Sequence, residues 1–368
     1  MEPFIPAKLP LSDVRWEPLI PLIGHANRAL AHFEGVLHGV PNAELLLSPL
    51  ATKEAVLSSK IEGTQATLGE VLLFDASQES PGIEKQHDIH EIINYRTALR
   101  EAEGWLTKRP FSLNLLKHLH NLLLNSVRGR DKARGEFRRI QNWIGTPGSP
   151  VERASFVPPP PHLLPEYLDN WERYYHDTSP DALVQLAIVH AQFEILHPFL
   201  DGNGRLGRIL IPLFLYERKL LSRPVFYLSE WLDEHREEYV GALRDLGRRD
   251  DAWNRWITFF LTGIQEQAHR NSRVARSVMD LYERSKRRII DLTRSQHAVP
   301  LLDQLFRRPI FQSTDLTFQS ANKVTVANLL RALRDANMIT VLRESAGRRA
   351  AVYSFAELIN LCEARSDV

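Results

Sequence analysis

Cysteine occurs once in 368 residues, at Cys362. A single thiol excludes an intramolecular disulfide framework and a cysteine-rich zinc site, and it suits a reducing compartment, so a cytoplasmic location is expected. No histidines stand at the HExxH spacing or another metal-binding spacing. His87, His90, His118 and His120 fall on helical patterns and read as core or surface residues. Long apolar runs are also missing. The longest, residues 209–215, is far short of the roughly 20 residues that cross a bilayer, so no membrane partner is expected. Residues 1–10 lack a basic segment followed by an apolar one, so no secretory leader is expected. Neither sign of charge is in excess: 46 basic residues face 45 acidic ones, a net charge of +1. No global field then draws the chain to nucleic acid or membrane, and any such affinity has to be local.

What is present is an ordinary globular composition, 43% hydrophobic and 25% charged, long enough for two or three domains at about 150 residues each. Helical periodicity dominates, so a mainly α fold is expected. Prolines 3, 6, 10 and 18 keep the start extended. Helices are expected from about 19 to 37, from 41 to 61 with Gly63 closing the second, and then at about 87–103, 111–127, 164–176, 181–196, 205–219, 229–247 and 251–267. Trp253, Trp256, Phe259 and Phe260 suit a buried face of the last of these. A strongly charged helical stretch follows over 263–294. Residues 128–161 break the rhythm. Gly135-Glu136-Phe137-Arg138 leads into turn residues at 145–150 and a run of four prolines at 158–161, which reads as a hairpin with a mobile tip.

The densest chemistry lies in His197-Pro198-Phe199-Leu200-Asp201-Gly202-Asn203-Gly204-Arg205-Leu206-Gly207-Arg208. These twelve residues hold a candidate general base, a candidate metal ligand, three glycines and two arginines. Glycines let backbone N–H groups approach an anion. A helix opening near Arg205 would add its positive end, and arginines fork onto phosphate oxygens. The run also fits the GxGxxG dinucleotide pattern. That motif needs a preceding strand, and residues 183–196 have helical spacing instead. A plain capped connector would account for the glycines, but not for a His, an Asp, an Asn and two Arg in one short turn.

Read as HPFxDGNGRxxR, the stretch resembles the signature of the Fic (fido) family. The resemblance implies a helical Fic core with a β-hairpin flap, and transfer of AMP from ATP to a Ser, Thr or Tyr hydroxyl of a protein. It implies His197 as the base, Asp201 as the Mg²⁺ ligand, and Phe199 as an anchor in the core. Asn203 with the Gly202 and Gly204 amides would form the anion hole. Arg205 and Arg208 would grip the β- and γ-phosphates, with Leu206 and Gly207 in the same nucleotide-binding turn. Tyr239 stands where the family often packs an aromatic on adenine, though the usual second Tyr is Val240 here. Upstream, Ser58-Ser59-Lys60-Ile61-Glu62-Gly63 matches the (S/T)xxxE(G/N) pattern of Fic proteins that carry an inhibitory helix. This implies that Glu62, with Ser58, engages Arg208 and spoils ATP binding. The hairpin would be the flap that receives the target segment by strand-like pairing.

The expected domains are an N-terminal helical domain over 1–85, the Fic core over 86–270, a helical connector over 271–297 and a C-terminal domain over 298–368. In the last, the order of apolar runs resembles a winged helix-turn-helix. Thr325, Asn328, Arg331 and Arg334 are candidate readers, Ser320 or Asn322 a candidate cap, and Arg348 and Arg349 sit on the wing. DNA is therefore one candidate partner, and protein contact the other reading of this domain. The same catalytic residues would serve removal of AMP from a protein, with Glu62 orienting water. Transfer of another phosphate-linked group, self-modification and a homodimer also stay open.

Overall fold

The computed structural model describes residues 2–40, 42, 46–79, 82–125, 132–145, 150–316 and 322–364. Among these residues the chain forms fourteen α-helices and three short strands. It divides into two compact units that are not continuous in sequence. The first comprises Met1–Glu34, Leu57–Gly63 and Asn94–His269; the second comprises Gly35–Val56, Thr64–Ile93 and Arg270–Val368. Residues 1–85 are shared between the units, and of residues 86–270 the segment 86–93 and Arg270 fall in the second. The first four helices are α1 (Ile20–His38), α2 (Ser48–Ile61), α3 (Leu68–Ser77) and α4 (Ile83–Leu106).

The first unit is built around α7 (Ala182–Leu196). Thirteen of its fifteen residues are buried, the mark of a helix enclosed on all sides. Asp181 caps it by accepting from the Leu183 and Val184 amides at 2.9 Å each. Indole N–H groups also bond its carbonyls, Trp171 to Val189 at 2.9 Å and Trp256 to Ala187 at 2.8 Å. Around it stand α5 (Leu113–Leu123), α6 (Leu164–His176), α8 (Asn203–Glu217), α9 (Ser229–Glu234) and α10 (Arg236–Asp245). The single helix expected over 229–247 is thus two, broken at His235. Helix α11 (Ala252–Thr293) merges the expected apolar helix and the charged stretch into one element. The break before α8 is the short loop that carries the signature.

The hairpin is sparser than expected. Among the described residues it contains one antiparallel bridge, Ile144 to Phe156, with the Ile144 amide donating to the Phe156 carbonyl at 2.8 Å. Prolines at 150 and 158–161 remove the donors that a longer ladder needs, and the expected mobile tip at 146–149 lies outside the described residues.

In the second unit, α12 (Ala298–Arg307) buries Leu301, Leu302, Leu305 and Phe306 against Leu329, Leu333, Val352, Phe355 and Leu358. Strand β1 (Ile310–Gln312) is followed by α13 (Lys323–Asp335), β2 (Thr340–Arg343), β3 (Val352–Ser354) and α14 (Ala356–Glu363). The sheet is antiparallel in the order β1-β3-β2, with Ile310 opposite Ser354 and Thr340 opposite Ser354 on the other side. Asn322 caps α13 by accepting from the Thr325 amide at 2.8 Å; the alternative cap, Ser320, lies outside the described residues. Among the described residues, no helix is long and apolar enough to cross a membrane.

Candidate active site

The loop from His197 to Gly202 begins and ends in left-handed backbone. His197 closes α7 at φ +44°, where a non-glycine residue costs roughly 1–2 kcal/mol. Gly202 opens α8 at φ +77°, a left-handed backbone that glycine adopts without strain, with Leu123 and Leu124 at contact distance from where a Cβ would stand. Helix α8 therefore begins at Asn203, two residues before the expected start, and turns its free amides toward the loop.

Backbone carbonyls of the loop are held from several directions. The Asn203 side chain closes a ring on Phe199, accepting from its amide at 2.9 Å and donating to its carbonyl at 2.8 Å. What Asn203 leaves for an anion is its backbone N–H. Asn142 donates to the Phe199 carbonyl at 2.9 Å and to that of His197 at 3.4 Å. His120 stacks on Phe199 with ring centroids 3.9 Å apart. Its Nδ1 accepts from the Gly135 amide at 2.8 Å, so its Nε2–H donates to the Asp201 carbonyl at 3.1 Å. Burial pushes the His120 pKa down to about 4, consistent with that neutral tautomer.

His197 itself is half-buried. Burial pushes its pKa down to about 4 against the opposing effects of the Glu194 carbonyl and Glu62, so the imidazole is neutral and able to take a proton at physiological pH. Its Nδ1 has no hydrogen-bond partner among the described residues. Asp201, with a side chain 43% exposed, sends Oδ1 to the Gly202 amide at 2.6 Å and stands 3.7 Å from Arg205 Nη2. Arg205 is 4% and Leu206 0% exposed, so Leu206 fills the core and offers the site only its backbone.

Arg208 is 2% exposed and is held through Nε and Nη2. Its Nε donates to Ser58 Oγ at 2.8 Å, and its Nη2 donates to the Ser58 carbonyl at 2.9 Å and to Glu62 Oε1 at 2.6 Å. Helix α2 ends at Ile61, and the turn through Gly63 at φ +105° carries Glu62 inward. Burial alone would raise the Glu62 carboxyl; Arg208, then Arg205 and His197, outweigh it and hold the group below its ordinary value. The ion pair drives Arg208 in turn above its ordinary value despite its burial. Glu62 Oε1 lies over Gly204, 2.3 Å from where a Cβ would stand. Only glycine leaves room there for an anionic oxygen.

Behind this pair lie three groups that the sequence did not single out. Glu194 Oε1 is buried without a partner among the described residues and stands 2.0 Å from where a Gly207 Cβ would be. Burial, opposed by Arg208 and helped by Glu62, pushes its carboxyl up to about 7. His190, depressed to about 3 by burial, bonds the Gly207 carbonyl through Nδ1 at 3.1 Å and the Tyr239 hydroxyl through Nε2 at 3.0 Å. Tyr239 is 4% exposed, packed beside Trp256 and Phe259. The third is Arg138, inside the Gly135–Arg138 run. The catalytic, nucleotide-binding and inhibitory residues expected from sequence thus lie in the first unit.

Two family models match this chain, "Fic/DOC family N-terminal" over residues 20–103 and "Fic/DOC family" over residues 110–215. The chain belongs to the Fic/DOC family. A probable protein adenylyltransferase of Aquifex aeolicus is 39% identical over 95 residues, 25% of this chain and 27% of that protein. The protein adenylyltransferase Fic of Drosophila ananassae is 27% identical over 159 residues, 42% of this chain and 30% of that protein. The matched regions are therefore less than a third of those relatives. Among solved structures, a Fic family protein from Desulfovibrio desulfuricans superposes with a TM-score of 0.56 at 21% identity, covering 91% of this chain and 96% of that one. Fic-1 (aa134 - 508) from C. elegans gives 0.53 at 20% identity, covering 72% and 75%. These two likenesses establish the fold.

Proposed function

We propose that this Fic chain is a protein adenylyltransferase restrained by its own Glu62. The observation that carries the reading is the 2.6 Å pair between Glu62 and Arg208 above Gly204, beside a neutral His197. In the reaction, a Ser, Thr or Tyr hydroxyl of a protein attacks the α-phosphorus of ATP. The new O–P bond forms, the α–β anhydride bond breaks, pyrophosphate leaves, and His197 takes the hydroxyl proton. The α8 N-terminal amides and Arg205 face the growing negative charge on the leaving side. Arg208 would join them only after Glu62 lets go. With Glu62 in place, the phosphates meet a carboxylate where they need a cation. The acceptor would be a segment laid along the hairpin, the chain itself being one candidate.

The residues suit Mg²⁺ held jointly by protein and nucleotide. Asp201 offers a partly exposed hard oxygen donor, and no group of three acidic, histidine or cysteine ligands exists among the described residues to hold a metal alone. When bound, the ion would neutralise phosphate charge.

The test is intact mass and labelled-ATP transfer by wild type, Glu62→Gly and Glu62→Gly/His197→Ala, alone and with cell lysate. Glu62→Gly should gain AMP or label a protein well above wild type, and loss of the base should cut this by about 10²–10⁴-fold. No transfer by Glu62→Gly to itself or to any lysate protein sinks the reading. In that case, release of AMP from a modified protein by wild type but not by Glu62→Gly would favour the reverse reaction.

For the second unit we infer a phosphate-contacting surface. Lys323, Asn328, Arg331 and Arg334 lie exposed on α13, with Arg348 and Arg349 exposed on the wing between β2 and β3.

A further inference from the structure

Arg138 is 3% exposed, and no carboxylate pairs with it among the described residues. A buried, unpaired cation is costly unless its donors are satisfied. Here they are satisfied by carbonyls. Nε donates to the His197 carbonyl at 2.9 Å, Nη2 to Pro159 at 2.6 Å and Leu196 at 3.3 Å, and Nη1 to Ile140 at 3.4 Å. The Arg138 backbone amide adds the Pro198 carbonyl at 2.8 Å. Leu196 and His197 are the last residues of α7 and its cap, where a cation opposes the negative end of the helix. Ile140 and Pro159 lie on the two limbs of the hairpin.

We propose that Arg138 is the positioning residue of the proton acceptor: its guanidinium gathers these carbonyls and locks His197 in left-handed backbone beneath the hairpin. The φ of +44° is what aims the ring, because relaxation to the ordinary helical region would swing Cβ away from the loop. Among the described residues, the His197 backbone is held otherwise by its own amide, bonded to Phe193 at 3.0 Å, and by the weaker Asn142 contact. A planar fork on a short lever suits several carbonyls at once; an ammonium on a flexible stem does not. A target laid along the hairpin thus meets backbone tied by one side chain to the residue that takes its proton.

The proposal deepens the transferase reading and rests on it for its rate arm, so the test has a second arm that does not. Charged groups facing His197 are Glu62 from the turn after α2, Asp201 from the loop and Arg138 from the hairpin, with the Glu194 carbonyl from α7. Arg138 and burial lower its affinity for protons; the other three raise it. The imidazole titration of His197 is followed by NMR in full-length wild type and Arg138→Met, assigned by its loss in His197→Asn. Turnover is measured in the Glu62→Gly background. The expected result is a titration midpoint raised by about half a unit or more, and kcat lower by about 10²-fold with KM for ATP little changed. Arg138→Lys, a milder change should Arg138→Met not fold, is expected to keep the midpoint yet lose much of kcat. An unmoved midpoint with Arg138→Met, or parental kcat with Arg138→Lys, overturns the proposal. A moved midpoint with no turnover even in Glu62→Gly leaves Arg138 as the positioning residue and removes the transferase reading instead.

Discussion

Arg138, Arg205 and Arg208 in the first unit are at most 4% exposed, whereas no arginine of the second unit is buried among the described residues. The second unit is not poor in arginine: Arg273, Arg276, Arg284, Arg287 and Arg288 follow one another along α11, all exposed. Taking a guanidinium out of water costs several kcal/mol, and a well-packed apolar core would be at least as stable. Burial of three in one neighbourhood therefore marks a place where fixed positive charge has a use beyond folding. Each has a distinct task, on carbonyls (Arg138), near Asp201 (Arg205) and on Glu62 (Arg208). The exposed series on α11 has the simpler reading of a solvated helix face.

The comparison is sharpest as a pair of deletions. Arg208→Ala should lower thermal stability by about 2–3 kcal/mol, less than a fully buried pair because Glu62, 40% exposed, can turn to water. Arg331→Ala, on the exposed face of α13, should stay within about 0.5 kcal/mol. Denaturant titrations of both variants check this, and equal losses would break the distinction.

A subtler contrast concerns Glu194, whose carboxyl is raised to about 7 from an ordinary 4.5. Between those values the folded protein keeps a proton that the unfolded chain releases, so Glu194 makes stability fall as pH rises through this window. The slope from this group is at most about 1.4 kcal/mol per pH unit. His120 and His190 act oppositely, since they stay neutral in the fold to about 4 and about 3. Their effect is common to wild type and Glu194→Gln and cancels in the difference. Melting temperatures from pH 5 to 8 should therefore show Glu194→Gln gaining on wild type as pH rises. Parallel curves would mean that Glu194 is ionised throughout and that Arg208 has two carboxylates rather than one.

These groups also show where the sequence stopped being legible. The loop from His197 to Arg208 could be read because its chemistry is contiguous, and the family resemblance supplied Glu62. The helical class followed from apolar spacing, whereas the wing was suggested only by the resemblance of the apolar runs to a winged helix-turn-helix. Arg138 and His120 were not readable as site residues, because their partners are backbone carbonyls 59 and 81 residues away. A carbonyl leaves no mark in the residue alphabet. Glu194 looked like one polar residue in an apolar helix, and its pressure on Gly207 exists only once α7 and α8 pack. Helix α11 was read in two pieces because its composition changes near 263 while its buried stripe of Ala268, Ala275, Val278, Leu281 and Ile289 continues.

The smallest expected effect tests the exposed side of the comparison. If α13 and the wing meet phosphate, full-length protein should bind a random DNA duplex with an affinity that falls steeply with salt. Each arginine engaged should contribute about 0.9 to the slope of log K against log salt. Arg331→Gln and Arg348→Gln should then each flatten that slope by about one and weaken binding similarly on unrelated sequences, the behaviour of a phosphate contact rather than a base contact. AMP transfer by Glu62→Gly should be unaffected by either change, because neither residue belongs to the first unit. A slope unchanged by both substitutions would make these arginines solvated surface like those of α11. The basic face of the second unit would then owe its charge to solubility, and buried arginine alone would mark function in this chain.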